Sequence, residues 1–240
     1  MKKTIVAAVA VITSVSVALI GYLAVGAASG GQESRAASNS GAASSQTVSH
    51  KTVVMSPDFD VVYTGIPQLA KAAHLIVQGT ASDVSYFNSN GVTYTKVILA
   101  VSKVFKGNVT PESKVVFIEI GGVTTEAAMI REDDSANAAS ITPEQEATKV
   151  DVLFGGAPLT EEGGNVIYFG IEGDISFDKF ASVEGVYYQP VGAFQGKFDV
   201  TNGIAERYRS PTLAGSAYRA LRTGQGTIGS QVRNAIGATS

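Results

Sequence analysis

Aromatic side chains are the most numerous candidates for ligand contact in this sequence. One face of a β-sheet can present aromatic rings on which bases or sugars stack. More often, such rings are core residues or cross-strand partners. The aromatic residues that could include such a platform are Tyr63, Tyr86, Phe87, Tyr94, Tyr168, Tyr187 and Tyr188. Of these, Tyr94, Tyr187 and Tyr188 are the favoured positions for a ligand-binding platform.

Three consecutive acidic residues, Glu132, Asp133 and Asp134, form a candidate metal site. Loop carboxylates are oxygen ligands of the kind that Ca²⁺ prefers. The spacing lacks the alternating Asp-x-Asp-x-Asp-Gly pattern, which counts against a calcium loop of that type. Glu161 and Glu162 are adjacent in a predicted turn. Adjacent side chains of an extended chain point apart, so these two are poorly placed as an acid–base pair.

Catalytic motifs are absent from the sequence. A nucleophile needs a neighbouring base, and the only histidines are His50, in or beside a polar spacer, and His74, at the start of an apolar segment. We interpret His74 as structural rather than as part of a Ser-His-Asp triad. No nucleophile elbow, His-Glu-x-x-His or phosphate-binding loop occurs, and no Gly-x-Gly-x-x-Gly is expected to lead from a strand into a helix. No cofactor is expected.

Composition excludes several classes of protein. Cysteine is absent, so disulfides, thiolate catalysis, Cys-ligated zinc and lipid attachment through an N-terminal Cys are excluded. The formal net charge is -3. A general nucleic-acid binder needs a surplus of Lys and Arg to neutralise phosphates, so no nucleic-acid partner is expected. The 240 residues suffice for one medium domain with additional segments.

The N-terminal segment, residues 1–28, predicts export. Lys2 and Lys3 precede an apolar run over residues 5–25 that is long enough to cross a bilayer as a helix. One alternative is a retained single-pass anchor, with the rest of the chain outside the cell membrane. The other is a signal peptide cleaved near Ala27 or Ala28, which would make the protein secreted.

Three further segments follow the N-terminal one. Residues 29–57 contain much Ser, Ala and Gly, and predict a flexible linker. Residues 58–208 alternate strand patterns with turn signals and predict the folded domain. Residues 209–240 form a basic tail, in which the Ser210-Pro211 pair and an apolar stripe from Leu213 to Leu221 predict a short helix.

Within the domain, the pattern predicts one short helix over 66–73 and then mainly strands. Asn88-Ser89-Asn90-Gly91 has the composition of a hairpin turn. The strand after it, over 92–105, is so long that it must bend or bulge. Its alternation predicts Thr95, Val97, Leu99 and Val101 on one face and Tyr94, Lys96, Ile98 and Ala100 on the other. The remaining strands are predicted over 74–86, 114–120, 166–171, 183–190, 193–200 and 204–208. Residues 124–149 predict a long surface loop with a helical turn from Pro143 to Ala147.

Several segments resemble a group of exported Gram-positive bacterial proteins with an OB-like β-barrel, similar to the tissue-inhibitor-of-metalloproteinase and netrin barrels. They are Ala73-His74-Leu75-Ile76-Val77-Gln78-Gly79, Tyr94-Thr95, Val101-Ser102-Lys103-Val104-Phe105-Lys106-Gly107, Gly121-Gly122, Gly164-Asn165-Val166-Ile167-Tyr168-Phe169 and Gly192-Ala193-Phe194-Gln195-Gly196-Lys197-Phe198. The resemblance covers roughly residues 66 to 204 and implies a mainly β fold, a five- to seven-stranded barrel. His74 stands where those proteins often have Asp. The animal inhibitors chelate a protease zinc through an N-terminal Cys, so that activity does not transfer to a chain without cysteine.

Three functions remain open at this point. The leading hypothesis is a non-catalytic extracytoplasmic module that binds an envelope protein or a cell-wall glycan. The second is an envelope hydrolase, which requires a cleft with paired carboxyl groups and a raised pKa. The third is a purely structural surface protein.

Overall fold

The computed structural model describes residues 50–133, 140–173, 183–213 and 221–237. The predicted N-terminal segment, 1–28, lies outside these residues, as does most of the predicted linker. Among the described residues, no helix is both long and apolar enough to span a bilayer.

The protein is mainly β. Ten strands form one sheet in the order β1-β5-β4-β3-β2-β6-β8-β9-β10, with β7 paired to both β4 and β6. The strands are β1 (His50–Met55), β2 (Leu75–Ser89), β3 (Val92–Lys106), β4 (Lys114–Thr125), β5 (Lys149–Phe154), β6 (Asn165–Glu172), β7 (Tyr187–Pro190), β8 (Lys197–Thr201), β9 (Ile204–Glu206) and β10 (Arg222–Gly224). The expected count of five to seven strands was therefore too low.

Five of the strands pair in a closed cycle. β2 pairs antiparallel with β3 and with β6, and β3 pairs antiparallel with β4. β7 completes the cycle, because it pairs antiparallel with β6 and parallel with β4. We call β4, β3, β2, β6 and β7 the ring strands. The remaining strands extend the sheet from both sides of this ring.

Each ring strand divides its side chains between two faces, as the period of two in a strand requires. On β2, Leu75 and Val77 join a cluster that we call the ring core, whereas Ile76 belongs to a different cluster. The ring core consists of Leu75, Val77, Ala81, Val97, Leu99, Val101, Val115, Phe117, Val166 and Tyr168. The predicted separation of Val97, Leu99 and Val101 from the other face of β3 is confirmed.

Two helices cover the opposite face of β2 and β6. They are α1 (Ile66–Ala72) and α4 (Gln225–Gly237), and they pack against each other. Pro67 in the first turn of α1 suits a helix start, because its missing N–H has no partner there in any case. Apolar residues at helical spacing, Ile228, Val232 and Ala235, anchor α4 on the same core as Ile76.

The long β2–β3 hairpin bends as predicted. Its register shifts at three points, between Ile76 and Val77, between Gln78 and Gly79, and between Ala81 and Asp83. Gly79 is required where the strands approach, because an added Cβ would lie 2.3 Å from the carbonyl oxygen of Ala100. Such bulges allow two 15-residue strands to follow the curvature of the ring.

The chain between β4 and β6 has more regular structure than a surface loop. β4 continues to Thr125, and α2 (Glu126–Asp133) and α3 (Pro143–Ala147) precede β5. The predicted helical turn at α3 is confirmed, and Thr142 caps it in a capping box with Gln145. The sequence pattern missed β5 because its alternation is short and flanked by acidic, Ala-rich segments.

The sheet and its helices also extend past residues 58–208. β1 lies in the range predicted as linker and pairs in parallel with β5. In the predicted tail, a 3₁₀ turn spans Pro211–Leu213, and α4 follows β10 directly. Gly224-Gln225-Gly226-Thr227-Ile228-Gly229 leads from this strand into this helix, so the expectation that no Gly-x-Gly-x-x-Gly does so was wrong. Residues 193–196, predicted as strand, form a 3₁₀ helix instead, with Gly192 at a φ of 58° before it. Part of the predicted tail helix, 214–220, lies outside the described residues.

Candidate ligand-binding surface

The structure brings two of the three favoured tyrosines, Tyr94 and Tyr187, into one cluster on the face of β3 and β4 that points away from the ring core. The ring of Tyr94 stacks on that of Phe87, with centroids 5.4 Å apart and planes at 20°. Tyr187 is buried in the same cluster. We call this cluster the aromatic patch. Its members are Phe87, Tyr94, Val116, Ile118, Val183 and Tyr187.

Strand register positions the patch. The hairpin turn places Asn90 and Gly91 at positive φ, 50° and 76°, a conformation that these residue types tolerate. The turn sets Phe87 opposite Tyr94. Parallel pairing of β4 with β7 sets Val116 beside Tyr187. The patch therefore depends on three strand pairings, those of β2 with β3, of β3 with β4 and of β4 with β7.

Tyr188, the third favoured tyrosine, points to the other face. Its ring lies 5.8 Å from that of Phe117, and it packs against the ring core. Burial raises the pKa of Tyr94, whereas burial and then the nearby Glu172 carboxylate raise the pKa of Tyr188. Both hydroxyls are therefore neutral at physiological pH.

One of the three residues of the predicted acidic metal site lies outside what the structure describes. Glu132 and Asp133 end α2, and Asp134 lies beyond the described residues. Over 50–133, 140–173, 183–213 and 221–237, no group of three or more His, Cys, Asp or Glu side chains is arranged to hold a metal ion. A calcium site at these three residues stays a prediction.

His74 and the Glu161–Glu162 pair have local surroundings that fit structural roles. Nδ1 of His74 accepts a hydrogen bond from the backbone N–H of Glu172 at 3.2 Å, which joins α1 to the end of β6. Glu161 and Glu162 are exposed in the turn before β6, where Gly163 has a φ of 81°.

A buried polar network that was not predicted from the sequence lies beside the ring core. Oε1 of Glu119 accepts hydrogen bonds from the Tyr168 hydroxyl at 2.6 Å and from the Thr160 hydroxyl at 2.8 Å. Nζ of Lys197 lies 3.3 Å from the same oxygen and donates to the carbonyl of Pro158 at 2.8 Å. Burial, and then the Glu119 carboxylate, raise the pKa of Tyr168 well above its usual value.

One sequence signal could have revealed this network. Glu119 continues the alternation of Val115 and Phe117 on β4, so an acidic residue stands at an inward position. A buried charge requires a partner, and Lys197 is that partner. Because each charged group in the network is hydrogen-bonded and almost fully buried, the network stabilises the fold rather than exposing a reactive group.

A cleft lies beside the network, over β8 and β9. Its volume is about 550 Å³. Asp199 and Glu206 are directly opposite each other on the two strands, and both line the cleft. Nε of Arg222 lies 3.4 Å from Oε2 of Glu206, with both side chains largely exposed. The sequence analysis did not single out either acid, because their proximity arises from the pairing of β8 with β9.

Partial desolvation raises the pKa of Asp199, although the side chain remains in contact with solvent. The ammonium of Lys197 acts in the opposite direction, and the carboxylates of Glu119, Glu161 and Glu206 add to the rise. Asp199 is therefore the carboxyl group of the cleft that holds its proton more tightly than an ordinary aspartic acid.

No family model, curated protein or solved structure matches this chain. The role of the patch, the network and the cleft therefore has to be inferred from the chemistry of each. The network is closed to solvent, whereas the patch and the cleft can both meet a ligand.

Proposed function

We propose that this protein is a non-catalytic extracytoplasmic module that binds a cell-wall glycan through the aromatic patch. Residues 5–25 would tether it to the cell membrane as a single-pass segment, or it would be secreted after cleavage near Ala27 or Ala28. An envelope protein is the other partner that the patch could serve. The observation that carries the proposal is the position of the stacked Phe87–Tyr94 pair.

The proposal includes an OB-like barrel formed by the ring strands. An OB-fold is a five-stranded, partly open Greek-key barrel. Two features support this assignment: five strands that pair in a closed cycle, and the parallel pairing of the third strand, β4, with the fifth, β7. The resemblance to exported OB-like proteins noted in the sequence leads to the same expectation.

In an OB-like barrel, the patch would lie on the face where proteins of this fold bind their ligands. Proteins of this fold bind oligosaccharides and oligonucleotides on the face of their second and third strands, between the loop joining strands one and two and the loop joining strands four and five. Here the corresponding strands are β3 and β4, which carry Tyr94, Val116 and Ile118. Phe87 lies beside the first loop, and Val183 and Tyr187 lie at the end of the second.

The chemistry of the patch favours a glycan over a nucleic acid. A sugar ring presents apolar C–H faces to an aromatic ring and hydroxyls to neighbouring polar groups, and the partly exposed Tyr94 supplies both a ring and a hydroxyl. Nucleic acid would require a cationic surface around the rings. The formal net charge of -3 does not supply one.

Binding of soluble N-acetylglucosamine oligomers to the full chain in detergent micelles tests the proposal by calorimetry. Tyr94→Leu retains apolar bulk against Phe87 but removes the aromatic face. We expect it to weaken binding about three- to tenfold, equivalent to the stacking energy of an aromatic pair of about 0.5–1.5 kcal/mol.

Tyr63→Leu is the matched control, since Tyr63 is a half-buried tyrosine that packs on the helix-covered core rather than the patch. It should leave glycan affinity unchanged. Equal affinities for wild type and Tyr94→Leu would reject the patch as a glycan site. If glycan does not bind at all, cross-linking in intact envelopes from position 85, which lies on the same face of β2 as Phe87, would show whether a protein occupies the patch. If neither partner is found, a purely structural surface protein is the remaining explanation.

A carboxylate hydrolase of the cell envelope is the second candidate. The observation in its favour is the cross-strand Asp199–Glu206 pair in the cleft, together with the raised pKa of Asp199. The ion pair of Glu206 with Arg222 and the exposure of both carboxyl groups count against it, because water is not excluded from the site. Release of reducing ends from wall glycan by wild type, abolished by Asp199→Asn, would establish this activity. Its absence would remove the hydrolase hypothesis.

A further inference from the structure

The cleft over β8 and β9 carries two pairs of opposite charges. Asp199 and Glu206 supply carboxylates, and Arg209 and Arg222 supply guanidinium groups. The formal charges of these four residues cancel. A ligand that balances them must itself be close to neutral overall, which argues against a polyanion or a polycation in this cleft.

Only two of these four charged groups are already paired with each other. Arg222 is ion-paired with Glu206. By contrast, Asp199 and Arg209 have no hydrogen bond or ion pair from their side chains to any residue in the described part of the chain. Lys197 affects Asp199 only at longer range, because its ammonium is bound to Glu119 and to the Pro158 carbonyl. One carboxylate and one guanidinium thus face the same cavity without a direct partner.

The walls that carry these charges are held in place. The Tyr208 ring packs edge-on against Phe194, with centroids 5.9 Å apart. Asn202 and Gly203 form a tight turn at φ values of 50° and 75°, which joins β8 to β9. A volume of about 550 Å³ lies within the range of about 300–1,000 Å³ that small-molecule sites occupy.

We propose that this cleft binds a short zwitterionic peptide, with its ammonium on Asp199 and its carboxylate on Arg209. A peptide with free termini carries one charge of each sign, separated by its backbone. The guanidinium fork matches the two oxygens of a carboxylate, and both contacts are charge-assisted hydrogen bonds. A neutral sugar would leave both protein charges unmatched.

The peptide site is independent of the glycan function proposed for the aromatic patch, because the two involve different strands. The patch lies on β2, β3, β4 and β7, and the cleft lies on β8, β9 and the chain around Arg209 and Arg222. Tyr94→Leu should therefore leave peptide binding intact. The test of glycan binding and the test of peptide binding can therefore fail independently of each other.

Four probes separate the two charges of the ligand. They are trialanine, N-acetyl-trialanine, trialanine amide and N-acetyl-trialanine amide, titrated at neutral pH into the full chain in detergent micelles. We expect trialanine to bind most tightly. Loss of either terminal charge should weaken binding about tenfold or more, since a hydrogen bond to a charged group contributes that much.

Two variants assign each terminus to its residue. Asp199→Asn should bind trialanine and its N-acetyl form equally while still discriminating against the amide. Arg209→Gln should bind trialanine and its amide equally while still discriminating against the N-acetyl form. Asp83→Asn and Arg233→Gln are the controls, because these exposed residues lie outside the cleft, and both should bind all four probes as wild type does.

Two outcomes would overturn the peptide site. One is the absence of trialanine binding at concentrations up to about 10 mM. The other is equal binding of all four probes, which would show that the terminal charges are not recognised. If Asp199→Asn and Arg209→Gln retain full discrimination, the peptide binds elsewhere and the assignment to this cleft is wrong.

Discussion

Two stacked aromatic pairs of similar geometry occupy different environments in this protein. Phe117 and Tyr168 stack in the ring core with centroids 4.2 Å apart and planes at 17°. Phe87 and Tyr94 stack in the aromatic patch at 5.4 Å and 20°. Phe117 and Tyr168 are both fully buried, whereas Phe87 and Tyr94 are both partly exposed.

The difference lies in what each tyrosine hydroxyl and ring face contacts. The Tyr168 hydroxyl is bound to Glu119 and Thr160, so the whole side chain is used by the fold. Tyr94 retains solvent contact on the face of β3 that points away from the ring core. Stacking alone therefore does not identify a binding site. The two pairs differ in their remaining exposure, and only an exposed ring can gain from covering by a ligand.

Truncation of the two phenylalanines should give the largest difference in unfolding free energy between the two stacked pairs. Phe117→Ala should lower the free energy of unfolding by about 3–5 kcal/mol, because it opens a cavity in a fully buried core. Phe87→Ala should cost roughly 1 kcal/mol, since the ring is already partly in water. Urea unfolding followed by circular dichroism measures both. Equal losses would show that the patch is as much a part of the core as Phe117.

A second comparison is between the ion pair of the buried network and the exposed ion pair of the cleft. Lys197→Met removes the cation from the buried network and leaves the Glu119 carboxylate without its counter-charge. We expect a loss of about 3 kcal/mol in the free energy of unfolding, at the low end for a buried pair because both side chains keep slight exposure.

Arg222→Met is the matched control for Lys197→Met, since Arg222 pairs with Glu206 at nearly the same distance but in solvent. Its cost should be about 0–1 kcal/mol. Similar losses from the two variants would contradict the assignment of the network to the fold and of the cleft to binding.

Alkaline pH should produce the smallest and most specific effect. The pKa of Tyr168 is well above its unfolded value of 10.0, so the folded state holds this proton more tightly. Its contribution to stability is complete below about pH 10 and declines as pH rises further, by at most about 1.4 kcal/mol per pH unit.

Tyr168→Phe should remove this contribution and flatten the alkaline decline. It should also cost about 1–2 kcal/mol at neutral pH, because Glu119 loses a buried donor. Tyr94→Phe should flatten the decline less, since burial raises the pKa of Tyr94 to a smaller extent. Thermal unfolding measured from neutral pH to about pH 11 checks both variants; a larger effect at Tyr94 would reverse the comparison.

Much of the local structure was predictable from the sequence, because it depends on short-range patterns. The alternation of Val97, Leu99 and Val101 predicted the faces of β3, and the Asn90-Gly91 dipeptide predicted the hairpin turn. Pro143 predicted the start of α3. Each signal acts within a few residues, through side-chain periodicity or backbone conformational preference.

Contacts between distant segments were the part that sequence reasoning missed or left open. Tyr94 and Tyr187 were candidates, but only the parallel pairing of β7 with β4 brings them together and turns Tyr188 away. Similarly, no local pattern links Glu119 to Lys197 or Asp199 to Glu206. The short alternation of β5 was missed because its pairing partners, β1 and β4, outweigh its weak local preference.

By itself, the sequence determined a mainly β domain, the bend of its long hairpin, the inward and outward faces of β3, and the absence of cysteine chemistry. These follow from the period of two, from turn residues and from composition, which are properties of neighbouring residues. Only the tertiary structure decided which aromatic rings stack in the core and which remain at the surface, and which charges are buried with partners and which face a cleft. Those outcomes depend on strand register across more than 70 positions of chain, as between Val116 and Tyr187, and a single-residue change of register would exchange the two faces.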